Sequence, residues 1–370
     1  MCEPQVKYLV SSPYGDIIMD EARWQMPLLY NPNFTYGHYL EAIKAFISKG
    51  GYRPFIEAVN EGLKNTISLS DIDEILIRTE KHGALYHLAS IEVTVKKQSK
   101  KFAVNVAISR RGKDWLNHEF FVLKQLNNRF DFSYLPSVYF LGEVKSMLMF
   151  LAEWFEGYYE FHISKDKHGR QKTVLWDFNH GYKSLSNEQA KEIYKQASNI
   201  LTIYYDTCEF KQIFPWHHAA GDFVVKINNG SIDVKLTTAR RYESMIVFLE
   251  RDIINPLMAL IYFFLNLSVG MRLDRFNGIG DVAWASDFCV DGVVEGFFEA
   301  LRSKEHTGKY NIGTIKEFIS LLKHFGKDDL ELMLNSLMDI YKNSPEIDII
   351  TGNLKRHADK LYSVIQTLPL

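Results

Sequence analysis

The sequence predicts an α+β protein in two parts: a strand-rich segment over residues 74–155, then a mainly helical segment over 156–370. Three observations predict it. Runs rich in β-branched and aromatic residues crowd into 74–155 and then thin out. Beyond residue 186 the apolar residues recur at helical spacing. A chain of 370 residues is also long for one core, so two lobes are the expected arrangement.

Residues 1–73 read as an N-terminal helical extension. The first 35 residues hold Pro13, Gly15, Pro27, Asn31, Pro32 and Asn33 and read as irregular. Leu40, Ile43, Phe46 and Ile47 then fall at helical spacing, and Gly50-Gly51 ends that helix. Pro54 suits the first turn of a second helix, whose face carries Phe55, Ile56, Val59 and Leu63. Strands are expected at 74–80 and 84–95 around Lys81-His82-Gly83, at 102–108 after a polar turn, and at 137–144 and 147–154. One helix, 114–126, follows the third strand. The expected form of 74–155 is therefore a five-stranded antiparallel sheet with a single helix.

A further hairpin is expected from 158–164 and 171–177. Ser186 and Gln189 form a capping-box signature at the head of a helix that carries Ile193, Ala197, Ile200, Leu201 and Tyr204. Residues 213–241, IFPWHHAAGDFVVKINNGSIDVKLTTARR, interrupt the helices. Two apolar runs, 223–227 and 232–236, flank Asn228-Asn229-Gly230, a tight-turn signal because Asn and Gly tolerate positive φ. Such a hairpin sets His217, His218 and Asp222 on the same rim as residues 237–241. No strand is expected after about residue 243. Helices are expected at 244–269, 290–303, 314–325, 328–342 and 352–367, and residues 271–280 read as a helix end capped by Gly278, with Asp274 and the flanking arginines as an anchor beneath the 213–241 loop the alternative.

Composition narrows the function classes. Apolar residues make up 46% and charged residues 24%, so disorder is excluded. The net charge of -2 and pI near 6.6 supply no basic field, so neither nucleic acid nor a membrane is an expected partner. The most apolar run, 257–269, contains Asn266 and falls short of the ~20 residues that span a bilayer. Cys2, Cys208 and Cys289 form no CxxC pair, and no secretory signal is evident, so a cytoplasmic location is expected. There is no Walker-type loop, dinucleotide fingerprint or Gly-x-Ser-x-Gly.

The order of elements, with residues 217–225 (HHAAGDFVV) inside a hairpin, resembles the protein-kinase-like fold, including its aminoglycoside-phosphotransferase branch, over roughly residues 74–300. That family's catalytic loop has a base, then five positions later a metal-binding residue leading into an apolar strand. The resemblance implies that His217 stands at the base position and Asp222 at the metal-ligand position. It implies that Thr238 stands at the second metal-binding position. Val106-Ala107-Ile108-Ser109 resembles the family's Val-Ala-Ile-Lys strand, with Ser109 in place of the phosphate-binding Lys. Glu119 then stands for the helix Glu and Glu153-Trp154-Phe155-Glu156-Gly157 for the hinge whose backbone meets an adenine, while Lys81, Arg110 and Arg111 are the cations within the segment that could reach phosphates in place of the missing Lys. The implied cofactors are ATP and Mg²⁺.

The departures carry physical weight. Phosphoryl transfer offsets phosphate charge with Mg²⁺ and cationic side chains. Ser109 removes one cation, and Thr238 removes an anionic oxygen of the kind Mg²⁺ prefers. The expected protein is thus a degenerate kinase-like protein, a pseudokinase or regulatory ligand-binding protein that retains an interlobe cleft for a nucleotide or small molecule. Two alternatives stand beside it. One is a divergent ATP-dependent phosphotransferase with His217 as base and Asp222 holding the metal. The other is a scaffold that binds a protein partner. For the residues themselves two further readings stand: His217, His218 and Asp222 as metal ligands, which needs a turn because adjacent residues of an extended segment point to opposite sides, and a structural role, with His217 and Asp222 as a hydrogen-bonded pair above Trp216. Arg240 and Arg241 offer a bidentate clamp for phosphate or carboxylate, or ordinary surface salt bridges.

Overall fold

The computed structural model describes residues 4–12, 15–83, 85–177, 181–245 and 255–369, so Cys2 lies outside the described residues. The chain divides into two compact units, Met1–Glu156 and Gly157–Leu370.

The first unit begins with β1 (Gln5–Val10), β2 (Ile17–Ile18), α1 (Glu21–Trp24), β3 (Pro27–Leu28), β4 (Asn31–Thr35), α2 (Tyr36–Ser48) and α3 (Arg53–Leu63). It continues with β5 (Ile72–His82), β6 (His87–Val95), β7 (Gln98–Ala107), α4 (Arg110–Arg129), β8 (Val138–Val144) and β9 (Met147–Glu153). Strands β5 to β9 pair antiparallel in the order β5-β6-β7-β9-β8. The sheet has seven strands, however, and not the expected five. β1 adds parallel to β5, with Gln5 opposite Glu74, and β2 adds antiparallel to β1. The turn formers of the first 35 residues flank β1 without entering it, and its only long pairing is with a strand far along the chain. No local pattern announces that pairing. Residues 4–12 and 15–73 are accordingly part of the sheet unit.

Alternation along the strands makes this unit three-layered. Phe102, Val104 and Val106 of β7 share one buried cluster with Ile75, Ile77, Ile91 and Val93, and with Tyr39, Leu40, Phe46 and Phe55 from α2 and α3. Helix α4 covers the opposite face, where its Phe120 meets Phe150 of β9 at 5.8 Å between ring centroids. Thr35 and His38 form a capping box that starts α2 at Tyr36, ahead of the apolar residues that announce it.

The second unit contains β10 (Tyr159–Lys165), β11 (Gln171–Asp177), β12 (Gly181–Ser184), α5 (Asn187–Tyr204), β13 (Lys211–Ile213), β14 (Phe223–Asn228), β15 (Ser231–Leu236) and β16 (Tyr242–Ser244). After it come α6 (Pro256–Gly270), β17 (Leu273–Arg275), β18 (Val282–Trp284), α7 (Phe288–His306), α8 (Ile315–His324), α9 (Lys327–Ser336), α10 (Met338–Tyr341) and α11 (Ile347–Thr367). The two hairpins expected separately join in one sheet of order β12-β11-β10-β14-β15, because β10 pairs with β14. Asn229 (φ 49°) and Gly230 (φ 85°) close the β14–β15 turn, both in the left-handed region that a two-residue hairpin turn uses. The exposed edge of β15 is covered by a side chain: Gln196 of α5 donates to the Ile232 carbonyl and accepts from the Val234 N–H.

Helix α6 is apolar all round and buried, as a central core helix should be. The expected helix began at 244, but residues 246–254 lie outside the described residues. Two short strands, β17 and β18, were not expected. They pair across the 276–281 loop, in which Asn277 and Gly278 have positive φ, so Gly278 serves a hairpin and not a helix end. Among the described residues no helix is long and apolar enough to cross a membrane.

Candidate functional site

The candidate site is the loop between β13 and β14. Residues His218–Ala220 form one 3₁₀ turn, and Gly221 closes it at φ 74°. A Cβ on Gly221 would meet only the movable carboxylate end of Glu160 on β10, so it is the backbone angle that calls for glycine here.

Asp222 ends the loop, buried to 2% exposure. Arg240 grips it in a fork: Nη1 donates to Oδ2 at 2.6 Å and Nη2 to Oδ1 at 2.7 Å. The His217 backbone N–H donates to the same Oδ2 at 2.8 Å. Thr237 ties the far side of the hairpin down, its N–H donating to the Asp222 carbonyl at 2.7 Å. The clamp offered by Arg240 therefore closes on a carboxylate of its own chain. Both oxygens of Asp222 accept from the guanidinium, so a Mg²⁺ ion bound there would sit against the positive charge of Arg240. That like charge weighs against the metal-ligand role expected of Asp222.

His217 is held by its own loop. Its Nδ1 accepts the Ala219 N–H at 3.0 Å. A neutral imidazole has one proton, so this bond places it on Nε2. Nε2 makes no hydrogen bond and lies 3.7 Å from Glu346 Oε1, which also faces Arg275 at 3.5 Å. The ring's single lone pair is spent inside the loop. A general base needs that lone pair free for substrate.

His218 is a core residue. It is 1% exposed, neither ring nitrogen has a hydrogen-bond partner, and Phe161, Tyr194, Trp216 and Phe223 surround it. Burial pushes its pKa down to about 4. Unfolded, it takes a proton near 6.5, so the stability tied to its neutral form is present above that pH and drains away as pH falls toward 4. His218→Phe is expected to raise stability by about 1 kcal/mol at neutral pH by removing two unsatisfied buried groups. It should also flatten the acid limb of stability between pH 6.5 and 4, checked by urea denaturation across that range.

Beneath the loop lies a cluster of which only Asp274 was a candidate in the sequence. His162 of β10 is fully buried between two carboxylates: Nδ1 lies 3.3 Å from Asp274 Oδ1 and Nε2 3.2 Å from Glu160 Oε2. Asp274 is held in turn by the N–H groups of Ile163 and Arg275, each at 2.7 Å. Burial alone would lower the His162 pKa, but the bonds to Asp274 and Glu160 outweigh it and raise the pKa. A raised imidazole pKa stabilises the fold fully below its unfolded value, and that contribution is lost as pH rises through the folded value. His162→Gln is expected to remove this alkaline-side loss, read as a flatter dependence of melting temperature on pH above 6.5.

The other sequence-predicted residues lie in the first unit, apart from Thr238, which is buried beside Thr237 at the end of β15. Ser109 is not on a strand. β7 stops at Ala107, and the exposed Ser109 caps α4 by accepting the Gly112 N–H. Arg110 is the exposed first residue of that helix. Glu119 is buried in α4 and accepts from the Tyr86 hydroxyl at 2.8 Å. Glu153 ends β9, where its N–H donates to the Ser137 carbonyl, and Phe155 follows half-buried. Among the described residues no group of three or more His, Cys, Asp or Glu side chains is arranged to hold a metal.

No protein-family model matches the chain, and no curated protein matches it in sequence. The residues missed above, Glu160, His162 and Glu346, had one weak signal among them. Glu160 and His162 are two apart on a strand, which puts them on one face. Their partner Asp274 is 112 positions from His162.

Proposed function

We propose that the chain is a protein-kinase-like protein that binds a ligand without transferring phosphate, a pseudokinase or regulatory ligand-binding protein. The Asp222–Arg240 fork carries this reading. It closes the position where the family resemblance expects a metal ligand, and it does so with a cation built into the chain. The fixed ring of His217 argues in the same direction and against a phosphotransferase with His217 as base. Support for the family itself comes from the strand order β5-β6-β7-β9-β8, with α4 between β7 and β8, and from the loop-hairpin sequence of β13 to β15.

A nucleotide is the ligand this reading favours. The test is thermal melting of the full chain with ATP, in EDTA and in Mg²⁺. ATP is expected to raise the melting temperature equally in both, by the mass action of binding to the folded state. A shift that appears only with Mg²⁺ would contradict the closed Asp222, and no shift at ATP on the order of 10 mM would remove the nucleotide.

A second reading, a partner-binding scaffold, is favoured by one observation. Met26, Leu29 and Tyr30 stand exposed around the β3–β4 turn. Deleting residues 1–70 would strip β1, α2 and α3 from the core, so substituting those three residues with serine is the cleaner probe. Partner capture that survives the triple substitution would count against the scaffold.

A further inference from the structure

The first unit holds a cleft of about 380 Å³ where β1, α1, α2 and the β8–β9 turn converge, walled by Tyr8, Trp24, Glu41, Lys44 and Lys145. That volume lies within the roughly 300–1,000 Å³ of small-molecule sites. We propose that the cleft binds a small planar aromatic carboxylate, with its ring in the corner of Tyr8 and Trp24 and its acid group at Lys44 and Lys145.

The walls are the first argument. Glu41, Lys44, Ala45 and Ser48 follow one another three or four apart, so α2 turns them to the cleft as one stripe, with the small Ala45 in its middle. Tyr8 and Trp24, both half-buried, meet edge to face with ring centroids 5.3 Å apart and an interplanar angle of 72°. A flat ring laid on either face meets the other ring edge-on, and both contacts are favoured between aromatic groups. The sequence makes room for this corner. Gly37 lies inside α2 without a left-handed φ, where glycine only weakens a helix, and a Cβ there would run into the Trp24 indole. The space that Gly37 leaves is the space the indole occupies.

Charge is the second argument. Lys145 stands at the two-residue β8–β9 turn, where it and Ser146 have φ of 48° and 62°. From there its Nζ donates to Glu41 Oε2 at 2.7 Å. An ammonium carries three N–H groups, so this bond leaves Lys145 donors for a ligand oxygen. Lys145 and Glu41 are about half exposed, at 51% and 47%, and a ligand reaches them from solvent. Two lysines against one glutamate give the lining a single net positive charge. A monocarboxylate matches it. A phosphate ester brings about −1.5 to −2 and overshoots it, and an amine is repelled.

The test is calorimetric titration of naphthoate into the full chain at neutral pH and low salt. One equivalent is expected to bind, with Kd on the order of 0.1–1 mM. Decahydronaphthoate keeps the charge and loses the flat ring, and should bind about tenfold more weakly. Lys44→Met and Lys145→Met should each weaken naphthoate about tenfold, and Glu41→Gln should tighten it about threefold by releasing Lys145. Lys167→Met, at the exposed β10–β11 turn, removes the same charge and should change nothing. Circular dichroism checks that each variant is folded. Any of four results would overturn the proposal: no binding at naphthoate on the order of 10 mM, naphthalenemethanol or naphthylmethylamine binding as tightly as the acid, naphthyl phosphate binding more tightly than the acid, or unchanged affinity in both lysine variants.

Discussion

Asp222→Ala is expected to cost roughly 3–5 kcal/mol of stability, because it takes the countercharge from a largely buried guanidinium that keeps the Pro215 carbonyl at 3.3 Å. Arg240 loses both arms of its fork, and the His217 N–H loses its acceptor. The same residue would be nearly silent for stability if it served only to bind a metal ion, since substitutions away from structural networks usually stay within about 0.5 kcal/mol. Urea denaturation of wild type, Asp222→Ala, Arg240→Met and the double variant separates the two cases. The double variant should recover much of the loss, giving a coupling energy well above the roughly 0.5 kcal/mol expected of independent sites. Single-variant losses that simply add would show that the fork is incidental.

Gly296→Ala is expected to be the other large effect, about 2 kcal/mol of destabilisation from overpacking. Gly292 and Gly296 lie one turn apart on α7 and face α5. A Cβ on Gly296 would collide with the Lys195 carbonyl oxygen, and one on Gly292 would press on that of Lys191. These are backbone atoms of a neighbouring helix and cannot swing aside. The contact is fastened by Ser198 of α5, whose hydroxyl donates to the Val293 carbonyl at 2.8 Å. Gly352 of α11 is the matched control. It is exposed with open space around it, so Gly352→Ala should stabilise by roughly 0.5–1 kcal/mol through helix propensity alone. Equal effects at the two positions would mean that the close approach of α5 and α7 is misassigned.

These two sites also mark where the sequence was legible. What depends on neighbours in the chain was readable. The Ser186–Gln189 capping box forms as its spacing predicts, and the Asn229-Gly230 turn closes the hairpin that sets Asp222 and Arg240 on one rim. That Arg240 clamps a carboxylate was among the options its type allowed; that the carboxylate is Asp222 was not readable, because the pairing depends on how the rim closes. Ser109 shows a different failure. Val106-Ala107-Ile108 looks like a strand continuing, yet a serine ahead of a helix-forming run is also a cap, and the cap ended the strand. β1, the β10–β14 pairing and the Glu160–His162–Asp274 cluster all join segments far apart in sequence. Periodicity describes one element at a time and cannot announce such partners.

The most direct measurement is release or transfer of the γ-phosphate from ATP by the full wild-type chain in Mg²⁺ and in Mn²⁺, run beside His217→Ala. With Asp222 closed by Arg240 and the His217 ring committed to Ala219, both proteins are expected to show no turnover above buffer. Metal-dependent turnover by the wild type that disappears in a folded His217→Ala variant would contradict the account.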